Sequence, residues 1–300
     1  MLKQTASIGV GLLSDQLLTV RQSNQTMLTR PIPSSGEKLP VVGLGSWLQF
    51  DVGTDDSERQ PLREVLKQMQ EQGGKLIDSS PMYGKAEQVI GDLTTELGLN
   101  DKFFLATKIW TSGRQAGIEQ MEASLRKMHR KTIDLMQVHN LQDWQTHLKT
   151  LKDWKQAGKV RYIGITHYTA SAHDQLERIL KTEPIDFIQV NYSIRVRNAE
   201  RSLLPAAQEK GVAVIVNEPF ESGSLFGAVK NKKLPDWATE YDITSWAQFF
   251  LKFILSHPAI TCVIPGTSDV RHLVDNMGAG LGKLPDAQGR SRMASYLTNL

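Results

Sequence analysis

The chain has 300 residues, 35 Lys+Arg against 32 Asp+Glu, and a formal net charge of +3. Hydrophobic residues make up 40% and charged residues 22%, which fits a globular chain and is too apolar for a disordered one. One cysteine, Cys262, excludes an internal disulfide; no apolar run reaches the ~18 residues of a membrane span, and no run of about five basic residues points to nucleic acid.

Residues 1–34 read as an N-terminal extension. Lys3 precedes a weakly apolar stretch, Ala6 to Leu13, which loosely matches an export signal. Ser14 and Asp15 interrupt it, and there is no twin arginine and no clear small-residue cleavage site. The alternative is a disordered or loosely docked extension. Pro31, Pro33, Ser34, Ser35 and Gly36 read as a linker into a single domain, residues 35–300. The expected compartment is the cytoplasm, or the periplasm if the first segment acts as an export signal. The expected assembly is a monomer.

From residue 41 short apolar runs alternate with helical patterns. The runs predict buried parallel strands at 41–45, 76–78, 103–107, 133–138, 162–165, 187–190, 212–216 and 260–264. Leu62, Val65, Leu66 and Met69 form a helical stripe, as do Ala86, Val89, Ile90 and Leu93, then Ile118, Met121, Leu125 and Met128. A longer Gly/Ser/Lys-rich stretch, 221–233, reads as an active-site loop. Eight strand–helix units predict an α/β fold, a closed (β/α)8 TIM barrel. The open-sheet competitor lacks its G-x-G-x-x-G turn, since Gly43 and Gly45 are followed by Ser46 and Trp47.

In such a barrel, reactive side chains stand at the C-terminal ends of strands. The second strand ends in Asp78 and is followed by Tyr83; the third ends in Lys108 and the fourth in His139. Each alone has a structural reading: a loop carboxylate, a half-buried aromatic, a buried cation needing a partner, a satisfied histidine. Together they fall on three neighbouring strand ends and one loop. Lys108 is expected to lower the Tyr83 pKa, Asp78 to pair with Lys108, and His139 to orient a carbonyl oxygen. The set suits protonation of an oxygen that gains negative charge. It holds no electron source, so carbonyl reduction needs a hydride-donating cofactor.

These residues resemble the aldo/keto reductase superfamily, in ordered matches from residue 39 to about 280. They are Val42-Gly43-Leu44-Gly45 before Trp47, Leu76-Ile77-Asp78-Ser79-Ser80 with Tyr83-Gly84, Ala106-Thr107-Lys108, and Val138-His139-Asn140. Gly164-Ile165-Thr166-His167, Gln189-Val190-Asn191-Tyr192, Val263-Ile264-Pro265-Gly266-Thr267 and Asp275-Asn276 follow. The resemblance implies a barrel that binds NADPH over its C-terminal rim and reduces small or aromatic aldehydes and ketones. It implies Tyr83 as general acid, Asp78 and Lys108 as its supporting pair, and His139 as the substrate-orienting residue. Thr166, His167 and Gln189 are expected at the nicotinamide carboxamide. Phe220, Gly266, Thr267, Arg271 and Asn276 are expected at the rest of the cofactor, and Trp47 and Trp110 at the substrate pocket.

The chain departs from the family pattern in two places. Gly266-Thr267 replaces Lys-Ser after the last strand, and His272 stands where an Arg is common, so NADH or dual use is open. Asn217 stands where an aromatic residue often stacks on the nicotinamide. Two other functions share this fold: a Schiff-base aldolase using Lys108, and a cofactor-binding redox sensor or regulatory scaffold with little turnover. The seven histidines form no His-x-His or H-E-x-x-H cluster, so no metal is expected.

Overall fold

The structure is a computed structural model and describes residues 26–300. The export-signal reading falls on residues outside these. The first described element is a hairpin, β1 (Thr29–Pro31) antiparallel to β2 (Lys38–Pro40). The linker expected at 31–36 is therefore the turn of a hairpin, and ordered structure begins before residue 35. Two-stranded edges tolerate Pro31 and Pro40, which lack an N–H. Ile32 accepts the turn bonds from Ser35 and Gly36 at 3.1 and 2.8 Å, and Gly36 supplies the left-handed φ of +76°.

Eight parallel strands follow in one sheet: β3 (Leu44–Gly45), β4 (Leu76–Asp78), β5 (Phe104–Ile109), β6 (Ile133–His139), β7 (Val160–His167), β8 (Phe187–Asn191), β9 (Ala213–Asn217) and β10 (Ile260–Val263). Bridges Val42↔Val263 and Gly45↔Gly266 join the first barrel strand to the last, which closes the ring. β5 runs past Thr107, because Lys108 and Ile109 pair with Gln137 and Val138. Lys108 thus lies inside its strand, one residue from the end.

Alternation along the strands builds the interior in layers. Leu76, Phe104, Leu135, Tyr162, Phe187, Ala213 and Cys262 form a buried apolar layer low in the barrel, and Ile32 and Leu39 of the hairpin pack into it. The hairpin therefore caps the N-terminal end. Arg30 ties it down through the carbonyls of Leu255, His257 and Ile260, and the Tyr162 hydroxyl donates to Glu37 at 2.7 Å. Further along the same inward face the strands turn polar, two residues on at Asp78, Gln137 and Gln189 and four residues on at Lys108, Thr166 and Asn217. Gly164 lies between these layers with no room for a side chain, since a Cβ would stand 2.6 Å from the Phe187 carbonyl oxygen.

The helices form the outer ring: α1 (Asp56–Glu71), α2 (Ala86–Glu96), α3 (Arg114–Lys127), α4 (Trp144–Gln156), α5 (His173–Thr182), α6 (Leu203–Lys210), α7 (Ser224–Ala228), α8 (Trp246–Leu255), α9 (Val270–Gly278) and α10 (Ala287–Thr298). α1 buries Leu62, Val65, Leu66 and Met69, the stripe its spacing predicts. Asp55 caps it by accepting from the Ser57 N–H at 2.8 Å. The stretch expected as a loop at 221–233 contains α7, whose Phe226 packs on Phe220 at 4.9 Å between ring centroids. Among the described residues no helix is long and apolar enough to cross a membrane.

Candidate active site

The polar layer gathers at the C-terminal end of the barrel. Asp78 ends β4, Lys108 on β5 pairs in register with Gln137 on β6, His139 pairs with Thr166, and Thr166 pairs with Gln189. Register thus sets Lys108 beside Gln137 and His139 beside Thr166 and Gln189, while Asp78 pairs with Ala106, two residues before Lys108 on the same inward face.

Lys108 is wholly buried, and its Nζ donates to Asp78 Oδ2 at 2.6 Å and to the Ser79 carbonyl at 2.7 Å. The other Asp78 oxygen accepts from Gln189 Nε2 at 2.8 Å and from Gln137 Nε2 at 3.4 Å. Gln189 in turn accepts from the Thr166 hydroxyl at 3.0 Å. Taking two charges out of water is costly, and here each charge also gains neutral hydrogen-bond partners. The Asp78 carboxylate and Tyr83 act on Lys108 so that its pKa is raised, against the lowering effect of burial. It stays an ammonium.

Tyr83 stands beside this pair, its ring centroid 5.0 Å from Lys108 Nζ. A tight turn places it: the Tyr83 N–H donates to the Ser80 carbonyl at 3.0 Å, and Asp51 accepts from the Lys85 N–H at 2.9 Å. Gly84 has φ +58°, and a Cβ there would overlap the Asp51 carboxylate. The next turn of chain is pinned to β5 by the Thr107 hydroxyl, which donates to buried Glu87 at 2.6 Å.

The expected lowering of the Tyr83 pKa does not result. Burial pushes the phenol above its usual value; the Lys108 ammonium opposes this, and Asp78 and Glu218 reinforce it. The reason is burial, which outweighs the Lys108 ammonium. Tyr83 is thus held as a neutral hydroxyl with a cation nearby.

His139 meets the Tyr83 ring edge-on, with centroids 5.8 Å apart and planes at 85°. Burial pushes its pKa down to about 2, with Lys108 and His167 adding to the effect. It is neutral at physiological pH. Burial likewise lowers His257 to about 4 and sets His167 and His173 below the ordinary value.

These shifts predict acid sensitivity. The folded rings stay neutral where an unfolded chain would protonate them. The unfolded state then binds more protons, so stability rises with pH and is lost as pH falls below about 6.5. Each such histidine contributes up to about 1.4 kcal/mol per pH unit. The melting temperature should fall steadily from about pH 6.5 to pH 5; an unchanged value across that span would contradict the burial of neutral histidines.

The remaining candidates divide into those near this cluster and those away from it. His167 ends β7, accepts at Nδ1 from the Thr169 N–H at 3.2 Å, and stacks on Tyr168. Trp47 and Trp110 stand on the rim, 49% and 42% exposed, and Leu48 and Tyr168 are exposed with them. Phe220, Gly266, Thr267 and Asn276 line a separate cavity of about 360 Å³ between the end of β10 and the starts of α8 and α9, with His272 and Asp275. Arg271 does not line it. Its guanidinium is 84% exposed and pairs with Asp269 at 2.6 Å.

Gln137, which shares Asp78, escaped the sequence reading. Ser80 and Asn217 stand among the residues read there, but not the contact of the Ser80 hydroxyl with His139 Nδ1 at 3.0 Å or the buried, unpartnered Oδ1 of Asn217. Gln137 and Asn217 carry a readable signal. Each lies two residues along the inward face from an apolar residue, Leu135 and Ile215. Among the described residues no group of three or more His, Cys, Asp or Glu is placed to hold a metal ion.

Fold and site together define a (β/α)8 barrel with a phenol, a buried ammonium–carboxylate pair and a neutral imidazole at its C-terminal mouth. The aldo/keto reductase family model matches residues 41–291, and the chain belongs to that family of oxidoreductases. It is 30% identical over 259 residues to the methylglyoxal reductase YeaE of Escherichia coli, covering 83% of this chain and 89% of that protein. It is 25% identical over 258 residues to an NADH-specific methylglyoxal reductase of the same organism, covering 75% of this chain and 77% of that one. Among solved structures, an aldo-keto reductase from Klebsiella pneumoniae in complex with NADPH shares the fold with a TM-score of 0.75 and 22% identity. The match covers 90% of this chain and 96% of that one.

Proposed function

We propose that this protein is an NAD(P)H-dependent carbonyl reductase for small or aromatic aldehydes and ketones. The observation that carries this reading is the Tyr83 phenol, held neutral beside the buried Lys108–Asp78 pair and edge-on to a neutral His139. A reduced nicotinamide supplies the hydride when bound; the rest falls to the chain. His139 orients the carbonyl oxygen, Tyr83 donates its proton to that oxygen as charge develops, and Lys108 stabilises the phenolate left behind. The exposed Trp47 and Trp110 favour apolar and aromatic carbonyls, and the E. coli relatives add 2-oxoaldehydes such as methylglyoxal.

The residues present fit a dinucleotide. Buried, unpartnered Oδ1 atoms of Asn140 and Asn217, at the ends of β6 and β9, would accept a hydrogen bond from a polar ring substituent, on the same end of the barrel as Thr166, His167 and Gln189. The cavity lined by Phe220, Gly266, Thr267 and Asn276 suits an adenosine. It contains no Lys or Arg, and Arg271 is committed to Asp269. NADPH is the proposed cofactor, with NADH accepted as well. Lys108 is a poor Schiff-base nucleophile, because it is fully buried, charged and already bonded to Asp78.

Fluorescence titration with NADPH and NADH should give affinities within about tenfold of each other, followed by turnover on an aldehyde panel that includes methylglyoxal. His272→Arg should tighten NADPH about tenfold and leave NADH unchanged, the value of one charge-assisted hydrogen bond to the 2′-phosphate. Saturable binding with no turnover on any aldehyde would instead identify a cofactor-sensing scaffold.

A further inference from the structure

The environment of His139 Nδ1 determines which imidazole nitrogen carries the proton. Ser80 is completely buried, and its hydroxyl oxygen lies 3.0 Å from Nδ1. That oxygen already accepts from the Met82 N–H at 3.3 Å. A serine hydroxyl has one proton to give, and a buried donor left unpaired is costly. Around Ser80 the acceptor that the hydroxyl proton reaches is Nδ1. If Nδ1 carried the hydrogen, two donors would face the Ser80 oxygen and its own proton would have no acceptor. The arrangement is satisfied when Ser80 donates to Nδ1. The hydrogen then resides on Nε2, which among the described residues makes no hydrogen bond of its own.

We propose that Ser80 is a positioning residue that fixes His139 in the Nε2–H tautomer, so that the histidine presents a donor, never a lone pair, to the carbonyl oxygen of the substrate. The consequence for reduction rests on the reaction proposed above; the tautomer does not. A ring with its lone pair at Nε2 would repel the carbonyl oxygen and turn the substrate away from Tyr83. One hydroxyl thereby acts on both sides of the chemistry. It lies in the loop that carries Tyr83, and it orients the group that aligns the oxygen Tyr83 protonates. The spacing is specific: Ser80 is the second residue after Asp78 and the third before Tyr83. Its partner lies 59 residues away in the chain.

The test reads the nitrogen directly. In ¹⁵N-histidine-labelled protein, with the His139 signals assigned by their loss in His139→Gln, Nδ1 of the wild type should be unprotonated and Nε2 protonated. Ser80→Ala should weaken or mix that state and lower kcat by about three- to tenfold, the range of one neutral hydrogen bond, with a smaller effect on cofactor affinity. Ser80→Thr, which keeps the hydroxyl, should restore both the spectrum and kcat. A protonated Nδ1 in the wild type would overturn the proposal. So would a Ser80→Ala protein whose His139 spectrum and kcat match wild type, and so would a Ser80→Thr protein that folds but shows the alanine spectrum. The spectrum needs no substrate, so a protein that reduced no carbonyl would sink the reaction above and leave the tautomer result intact.

Discussion

Replacing Tyr83 with Phe is expected to slow carbonyl reduction by about 10²–10⁴ while leaving cofactor affinity nearly unchanged. The phenylalanine ring keeps the edge-on contact with His139 and the packing of the loop, so fold and pocket shape survive. Only the proton is lost. Without it the oxygen must gain negative charge unassisted, or take a proton from water. Because burial raises the Tyr83 pKa from its usual 10.0, the wild-type phenol stays protonated through neutral and mildly alkaline conditions. The wild-type rate should therefore not fall at a pH where an ordinary tyrosine is still protonated. Steady-state oxidation of reduced cofactor with an aldehyde measures both effects. Retained turnover in the Phe variant would remove Tyr83 from the chemistry.

Lys108→Met should be the most damaging substitution to the fold as well as to turnover. It leaves the Asp78 carboxylate buried with amide donors alone, from Gln189 and Gln137. Breaking one partner from a buried pair typically destabilises by about 3–5 kcal/mol, since the remaining charge stays out of water. Activity should fall by at least about 10², because no cation remains to stabilise the phenolate. Adding Asp78→Asn to the same chain should recover most of the stability, since it removes the stranded charge, but none of the activity. Denaturant midpoints and cofactor oxidation separate the two roles. A Lys108→Met protein as stable as wild type would show that the pair is solvated, contrary to its burial.

The interior layers explain how much of this was legible in the sequence. Apolar runs of strand length at nearly regular spacing mark the barrel, and Asp78, Lys108 and His139 fall at or near strand ends by simple counting. The polar layer was also readable in principle, since Leu135, Gln137 and His139 alternate along one inward face. The Ser80–His139 bond was not, because it joins a loop to a strand whose relative placement only the closed barrel fixes. The direction of the Tyr83 shift was hidden for a related reason: it depends on how far burial outweighs a cation, and sequence carries no measure of burial depth. The hairpin was misread because Pro31, Pro33 and Gly36 mark both linkers and turns; Ile32 and Leu39, which enter the barrel floor, distinguish them. The Arg271–Asp269 pair lies two residues apart beside a helix start, and its local geometry could have removed Arg271 from the cofactor set.

The central claim is that this chain directs a hydride to a carbonyl carbon and a proton from Tyr83 to its oxygen. The most direct measurement is single-turnover reduction of an aromatic aldehyde with NADPH deuterated on the nicotinamide ring at the transferring position. The expected result is one deuterium on the carbinol carbon of the product, transferred from one face of the nicotinamide, and no such product with the Tyr83→Phe protein on the same timescale. Bound cofactor that is never oxidised, or an alcohol free of deuterium, would contradict it.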